Sequence, residues 1–477
     1  MNAILCVVGS IPFFWAAFAP GSFEFVRDSG RIIQLSIVVL LVILAWIRHR
    51  DPESTLPAFL ESKHWHLLLI VASSLHLLVF TESARTSLYF QDQDITNISS
   101  AIANTATGHG LLPTAFLQTG KAGSYLGHHF APALLFFAPI YAAFPQTDHS
   151  IYPRILWIVF TMGAWIWMKI VHKSLPENKQ GIVLFLIFSA FPVQRVEQSF
   201  HNEILVILFS GIAFLGLVTN RKFWFWFGII LWMTVKEDMA VYTGLLGAVT
   251  FVWPHPHLNR REGAILSVCS LVWLIGSRLA QSHFGGGEGP AWSMFFNADW
   301  PAQSLQPVTA KWKATVLVLG AFGFLAFRRI RYAALIVPIM MIHLVSQHPW
   351  HSTYYGHYAY SFLPFLMLTA TEAAKETRLT WLLVLTTAAC YINAGDRETP
   401  SPPFKADPAY ESLREKAQSL PADVCIHAEK HLSALVPVSV LVFPLEPFPG
   451  NPHRNGFGLD QECKKHILFE PNQPVDK

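Results

Sequence analysis

The sequence predicts an all-α polytopic membrane protein of about thirteen transmembrane helices, followed by a small C-terminal α/β extracytoplasmic appendage. Three observations carry this expectation. Of the 477 residues, 52% are hydrophobic and only 14% charged, with a mean hydropathy of +0.37; a soluble chain carries roughly 25% charged residues. Apolar runs of about 15–20 residues recur, each closed by polar or basic residues, as a hydrocarbon core of ~30 Å requires. Lys and Arg also fall in alternate loops, the pattern that orients spans with their basic loops in the cytoplasm.

Taken in order, the apolar runs place spans at 1–19, 31–47, 65–81, 154–172, 181–195, 202–219, 222–236, 239–254, 263–280, 312–327, 331–347, 357–373 and 379–395. The first run lacks a basic n-region and a small-residue cleavage site, so it reads as a retained span and not as a cleaved signal. Arg48, Arg50, Lys169, His172, Lys173, Arg221, Lys222, Arg260, Arg261, Arg328, Arg329, Arg331, Lys375 and Arg378 then share the cytoplasmic side. The segments 82–153, 196–201, 236–238, 281–311, 348–356 and everything after about 396 face outward. Residues 222–254 have basic ends on both sides, which predicts a helical hairpin with Lys236-Glu237-Asp238 at its outer tip. Within 82–153, the apolar stretch from Ala131 to Phe144 is interrupted by Pro132 and Pro139, and it reads as an interfacial or re-entrant helix pair.

This division gives two N-terminal helices in 1–64, a transmembrane domain in 65–395 and a tail domain in 396–477. In the tail, Thr399–Pro403 is a Pro-rich linker, Pro408–Ser419 has a helical pattern, and Val424–His427, Val436–Phe443 and His466–Phe469 read as strands. An oxidising compartment would permit a Cys425–Cys463 disulfide. The five cysteines form no CxxC, so a metal or redox framework is not expected. A net charge of +3 without a basic tract gives no support for nucleic acid. Gly285–Pro290 lacks the Lys and Ser/Thr of a phosphate loop and reads as a flexible loop.

The chemistry-bearing residues cluster on the outward side. Asp92 and Asp94 follow the third span, where two carboxylates could activate an acceptor hydroxyl or hold a divalent ion; no other cofactor is indicated. His128 and His129 adjoin the apolar 131–144 segment and could donate to a phosphate or shuttle a proton. Both could ligate one ion only in a non-helical turn, because helical neighbours point about 100° apart. His201 and Glu203 lie where a short span leaves the bilayer; Glu203 there needs a cavity or a cation such as Arg195 or Lys236. Lys236, Glu237 and Asp238 sit between two strongly apolar stretches, and Lys236 suits a phosphate as a point charge. The 347–358 run includes His351, Tyr354, Tyr355 and His357, a hydrogen-bonding aromatic surface suited to sugar rings or headgroups. Each cluster also has a structural reading: a solvated loop, a helix N-terminus, an ion-paired hairpin or an interfacial aromatic belt.

Several of these runs resemble one family. Tyr89–Ile95 continuing to Asn104–Gly110 looks like its first outer-loop motif, and Leu126–Pro132 resembles its Gly-Asp-His-Phe-Ser-Pro. Phe200-His201-Asn202-Glu203 resembles Phe-His-Pro-Glu, Lys236-Glu237-Asp238 matches Lys-Glu-Asp, and Leu420–Val424 echoes a tail motif. The family is the membrane proteins called domain of unknown function 2079, grouped with the GT-C glycosyltransferases. The resemblance covers roughly 65–470. It implies a GT-C-like fold in a bacterial or archaeal cytoplasmic membrane, with the active face outside. It also implies a catalytic aspartate at Asp94, with Asp92 the near alternative. Two family carboxylates are replaced here, by Ser99 and His128.

The expected function is transfer of a sugar from a polyprenyl-phosphate donor to a glycan, lipid or protein acceptor. Asp94 would be the general base, and Lys236 with His129 would hold the donor phosphate. Glu203, Glu237 and Asp238 would support the site, and the 348–358 loop would bind sugar or membrane lipid. The rival classes are a flippase of lipid-linked sugar and an inactive scaffold. A flippase would place its essential charges near the bilayer midplane, an enzyme at one face.

Overall fold

The computed structural model describes residues 63–87, 93–113, 124–284, 307–354, 356–376 and 407–420, with shorter stretches between 424 and 469. The expected spans 1–19, 31–47 and 379–395, Asp92, Tyr355, the Gly285–Pro290 loop, the Pro-rich linker and Cys463 lie outside these residues. The described chain is mostly helical. Its longer helices are α1 (Lys63–Thr86), α2 (Gln93–Ala106), α3 (Ile151–Ser174), α4 (Glu177–Ser189), α5 (Phe191–Gln198), α6 (Leu205–Val218) and α7 (Lys222–Met233). They continue with α8 (Met239–Val252), α9 (Arg260–Phe284), α10 (Val308–Ala321), α11 (Ile330–Val345), α12 (Leu363–Ala374) and α13 (Tyr410–Gln418).

Among the described residues, three helices are long and apolar enough to cross a membrane: α1 from His66, α3 and α9. At 1.5 Å per residue, the 24 residues of α3 extend ~36 Å. Helices α6, α7, α8, α11 and α12 are apolar but shorter than the ~20 residues that span a bilayer unaided. Three expected spans are broken. The 181–195 run ends as α4 at Ser189 and restarts as α5, because Pro192 cannot donate to the Phe188 carbonyl and its ring crowds it. The 312–327 run stops at Ala321; Gly323 and Phe324 take positive φ, and a 3₁₀ turn follows over Leu325–Arg328. The 357–373 run splits into a 3₁₀ turn, Gly356–Ser361, and α12, which carries Pro364 in its first turn. Pro132 and Pro139 likewise divide 131–144 into a 3₁₀ turn (Pro132–Phe137) and a short helix (Ala138–Ala143).

Small residues let the helices approach closely, as membrane helix packing favours. Gly163 of α3 faces Ile207 of α6, and Gly211 of α6 faces Trp167 of α3, whose Nε1 donates to the Ile207 carbonyl at 3.0 Å. That pairing makes α3 and α6 parallel. The α8–α9 hairpin closes on Gly247, Gly263 and Ser267. On the other face of α9, Val268, Leu271, Val272, Ile275 and Leu279 are exposed, a ridge suited to lipid.

One end of the bundle carries several cations. Lys222 pairs with Glu262 at 2.6 Å, Arg329 pairs with Glu376, and Lys179 donates to the carbonyls of Ala374 and Lys375. At the opposite end α1 finishes and α3 begins. There Asp407 N donates to the Thr86 carbonyl at 2.9 Å, Arg85 donates to the Tyr410 hydroxyl, and Pro437 bridges to Asp148. These contacts seat the tail. Its strands β1 (Val424–Ala428), β2 (Leu441–Pro444) and β3 (Lys465–Phe469) form a parallel sheet in the order β2-β1-β3. Ile426 lies opposite Val442 and Ile467, and a separate small core holds Tyr410, Leu413, Ile426, Leu432 and Leu435. The described second strand, Leu441–Pro444, overlaps the end of the expected Val436–Phe443 run, and Pro437 near the start of that run has no ladder hydrogen to give.

Candidate active site

The tip between α7 and α8 is built first from backbone contacts. The Thr234 carbonyl accepts from Ala133 N at 3.0 Å, and the Val235 carbonyl accepts from the Asn202 side chain at 2.8 Å. The tip is thereby held from the 131–144 segment on one side and from the 201–204 turn on the other. Phe200 precedes that turn with φ of 56°, which turns the chain so that Glu203 points inward. The result joins three segments distant in sequence.

Lys236 Nζ donates to Glu203 Oε1 at 2.8 Å and lies 5.3 Å from the centre of the Tyr360 ring. Lys236, one of the two cations weighed for Glu203, is in contact with it. Arg195 donates to the Tyr354 carbonyl at 3.1 Å. His201 Nδ1 stands 3.7 Å from Glu203 Oε2. Glu237 accepts from His129 Nδ1 at 3.1 Å and from Phe130 N at 3.0 Å. Asp238 accepts through Oδ2 from Tyr242 at 2.9 Å and from Tyr360 at 2.5 Å, while its buried Oδ1 has no hydrogen-bond partner among the described residues.

Burial sets the protonation states. It pushes His128 down to about 3, with neighbouring His129 adding to the effect, and it holds His129 well below the usual imidazole range. Both rings are therefore neutral at pH 7, and His129 meets Glu237 through an Nδ1–H hydrogen bond. Burial raises Asp238 to about 6; Lys236 and the two tyrosine hydroxyls pull it down, and Glu237 pushes it further up. Burial alone would favour a neutral Lys236, but Glu203, Asp238 and Glu237 outweigh it and keep the ammonium charged. Lys236 thus faces more negative charge than it neutralises.

His128 ends a one-turn helix (Tyr125–His128), and His129 follows in extended backbone. Their ring centres are 4.3 Å apart, and Gln281 of α9 donates to the His128 carbonyl at 3.1 Å. No group of three metal-ligating side chains is arranged to hold an ion among the described residues. Asp94 occupies the first turn of α2, which packs against Pro132–Phe137 just beyond His129. Its side chain, like that of His357, lies outside the described residues, so the divalent-ion expectation on Asp92 and Asp94 does too.

A second group joins the first through Tyr360. His343 Nδ1 donates to the His351 carbonyl at 2.9 Å, and its Nε2 accepts from Ser361 at 2.8 Å. The His343 and His351 rings stack at 3.8 Å. Tyr354 is fully buried, its hydroxyl 3.1 Å from Thr315, and Tyr358 lies between His348 and His351. Sequence reasoning missed Tyr242, Tyr360 and Gln281. Tyr242 had a signal, standing four residues after Asp238 on a helix; Tyr360 and Gln281 had none. Ser99, where a family carboxylate is replaced, is held by the Tyr141 hydroxyl and by His149 Nδ1, both at 2.8 Å. Burial keeps His149 neutral, down to about 3, so this pocket needs no anion.

Residues 84–394 match the family model described as "Predicted membrane protein (DUF2079)". The chain belongs to this family. No curated protein matches this DUF2079 chain. Among solved structures it is similar to the Archaeoglobus fulgidus oligosaccharyltransferase tethered to an acceptor peptide containing the NVT sequon, at 12% identity and a TM-score of 0.41. That match covers 82% of this chain and 64% of the oligosaccharyltransferase, so the DUF2079 chain spans less than two thirds of its length.

Proposed function

We propose that this DUF2079 protein is a GT-C-type glycosyltransferase of the cytoplasmic membrane of a bacterium or archaeon, with its helices crossing as a multi-pass bundle. It moves a sugar from a polyprenyl-phosphate donor to a glycan, lipid or protein acceptor at the extracytoplasmic face. The observation that carries this reading is convergence. Lys236, Glu203, Glu237, Asp238, His129 and His201 come from separate segments and meet at the end of the bundle away from the basic loops. The excess of Lys and Arg at the other end supports a cytoplasmic placement for that end. A flippase would need its charges near mid-bundle.

Asp94 takes the proton from an acceptor hydroxyl, whose oxygen attacks the anomeric carbon. The bond from that carbon to the phosphate oxygen breaks, and the polyprenyl phosphate leaves with the electron pair. Lys236 stabilises the negative charge of the leaving phosphate. Since Lys236 already holds Glu203, a phosphate is accepted by partner exchange, with Glu203 turning to His201 on its other side. The tyrosine- and histidine-rich 348–358 loop offers ring faces and donors to the sugar.

The test is transfer by purified protein in lipid, with a panel of polyprenyl-phosphate sugars and an Asp94→Asn variant of verified folding. Transfer by the wild type and its loss in the variant are expected. Undiminished transfer by Asp94→Asn refutes the assigned base, and transfer from no donor in the panel counts against the enzyme reading.

A further inference from the structure

The basic end of the bundle holds a cleft of about 800 Å³ between the start of α1 and the ends of α3 and α6. It lies toward the C-terminal ends of α3 and α6, whereas Glu203 of the charged cluster precedes the N-terminus of α6. Its lining includes the cations Lys63, Lys169, Lys173 and Arg221 and one carboxylate, Glu177. Ile166, Ile212 and Leu215 add apolar surface to the same lining. Three other cations at this end have carboxylate partners: Lys222 with Glu262, Lys375 with Glu372 and Arg329 with Glu376. The four cleft cations have no carboxylate partner among the described residues; Lys169 only stands over the Trp165 ring, at 5.6 Å.

We propose that this cleft binds an anionic phospholipid, its phosphate among the four cations and an acyl chain along Ile166, Ile212 and Leu215. The inference rests on the membrane placement proposed above, but not on sugar transfer. Two features argue for a lipid over a soluble phosphate. Cations and aliphatic side chains line one continuous cleft, so a ligand that fills it is both anionic and apolar. Exposed Trp165, Phe223 and Trp224 stand at the same level, where aromatic residues mark the headgroup region. Basic pockets between membrane helices suit anionic headgroups, with each Lys or Arg strengthening the attraction to the anionic surface. The site would anchor this end of the bundle against a negatively charged leaflet.

The experiment is native mass spectrometry of the full chain in neutral detergent, with bound lipid counted. Phosphatidylglycerol, phosphatidylcholine and glycerol 3-phosphate are supplied at equal concentration to the wild type and to Lys169→Gln/Lys173→Gln/Arg221→Gln. These three side chains are exposed, so the variant keeps its fold, and an unchanged melting temperature verifies it. The wild type should retain phosphatidylglycerol at least about tenfold better than phosphatidylcholine, and the variant should lose about a hundredfold in affinity for it. Equal retention of the two lipids, undiminished retention by the variant, or equal competition by glycerol 3-phosphate overturns the proposal. Sugar transfer is not read here, so a failed enzyme assignment leaves the result unaffected.

Discussion

Removing Lys236 perturbs the cluster most. The Lys236 and Glu203 side chains are 6% and 2% exposed and meet at 2.8 Å, so neither charge is screened by water. A Lys236→Met variant leaves Glu203, Glu237 and Asp238 without their shared ammonium, and breaking a buried pair in this way costs about 3–5 kcal/mol. A Glu203→Gln variant is milder. Its amide oxygen still accepts from Lys236, and Asp238 and Glu237 still act on the ammonium, so a loss of about 1–2 kcal/mol is expected. The two changes are therefore coupled with a change of sign. Glu203→Gln should lower stability in the wild type and raise it in Lys236→Met, where it removes one of the buried negative charges that the ammonium balanced. The loss in Lys236→Met should also shrink as pH falls, because a protonated carboxyl needs no cation. Unfolding of all four proteins in detergent, followed by intrinsic fluorescence at pH 5 and pH 8, measures both effects. Equal losses from Glu203→Gln in the two backgrounds, or a Lys236→Met loss no greater than that of Glu203→Gln, would refute this account.

Other consequences follow from the same contacts. Asp238 has a folded pKa raised to about 6 from an ordinary carboxyl value, so the folded state binds the proton more tightly than the unfolded chain. Stability contributed by the protonated form is then present at about pH 4 and is lost as pH rises through about 6; a carboxyl stretch titrating near pH 6 in infrared spectra, absent in Asp238→Asn, checks it. Tyr360→Phe removes a donor that lowers this pKa and should shift that midpoint upward. At Gly247, a Cβ would lie 2.6 Å from Ser267 Oγ and 2.8 Å from the Gly263 carbonyl. Gly247→Leu should therefore destabilise by about 1–3 kcal/mol or more, read as a lower melting temperature. At Gly276 a Cβ would meet nothing within 4 Å, so Gly276→Ala should be neutral or stabilising by up to about 1 kcal/mol; a matching loss there would contradict the packing described for α9.

Composition and hydropathy were enough to predict a helical chain of the membrane class, because lipid and water select surface residues by polarity alone. Basic residues at the ends of apolar runs gave an expectation of which loops share a side. Motif order was enough for the family, since Phe200–Glu203 and Lys236–Asp238 keep their succession. Helix breaks at Pro192 and Pro364 do not show in hydropathy, because a proline inside an apolar run leaves the run apolar. Partners in space were another matter. That Lys236 takes Glu203 while Arg195 turns to the Tyr354 carbonyl depends on how the 201–204 turn meets the 234–238 tip. Both cations satisfy the sequence requirement equally. Tyr360 on Asp238 and the neutral trio of Ser99, Tyr141 and His149 arise the same way. The cleft between α1, α3 and α6 does too, since it needs three helix ends from 63 to 221 in the chain to meet. Polarity and periodicity are properties of neighbours along the chain, whereas a buried charge's partner is chosen by packing between segments far apart in it.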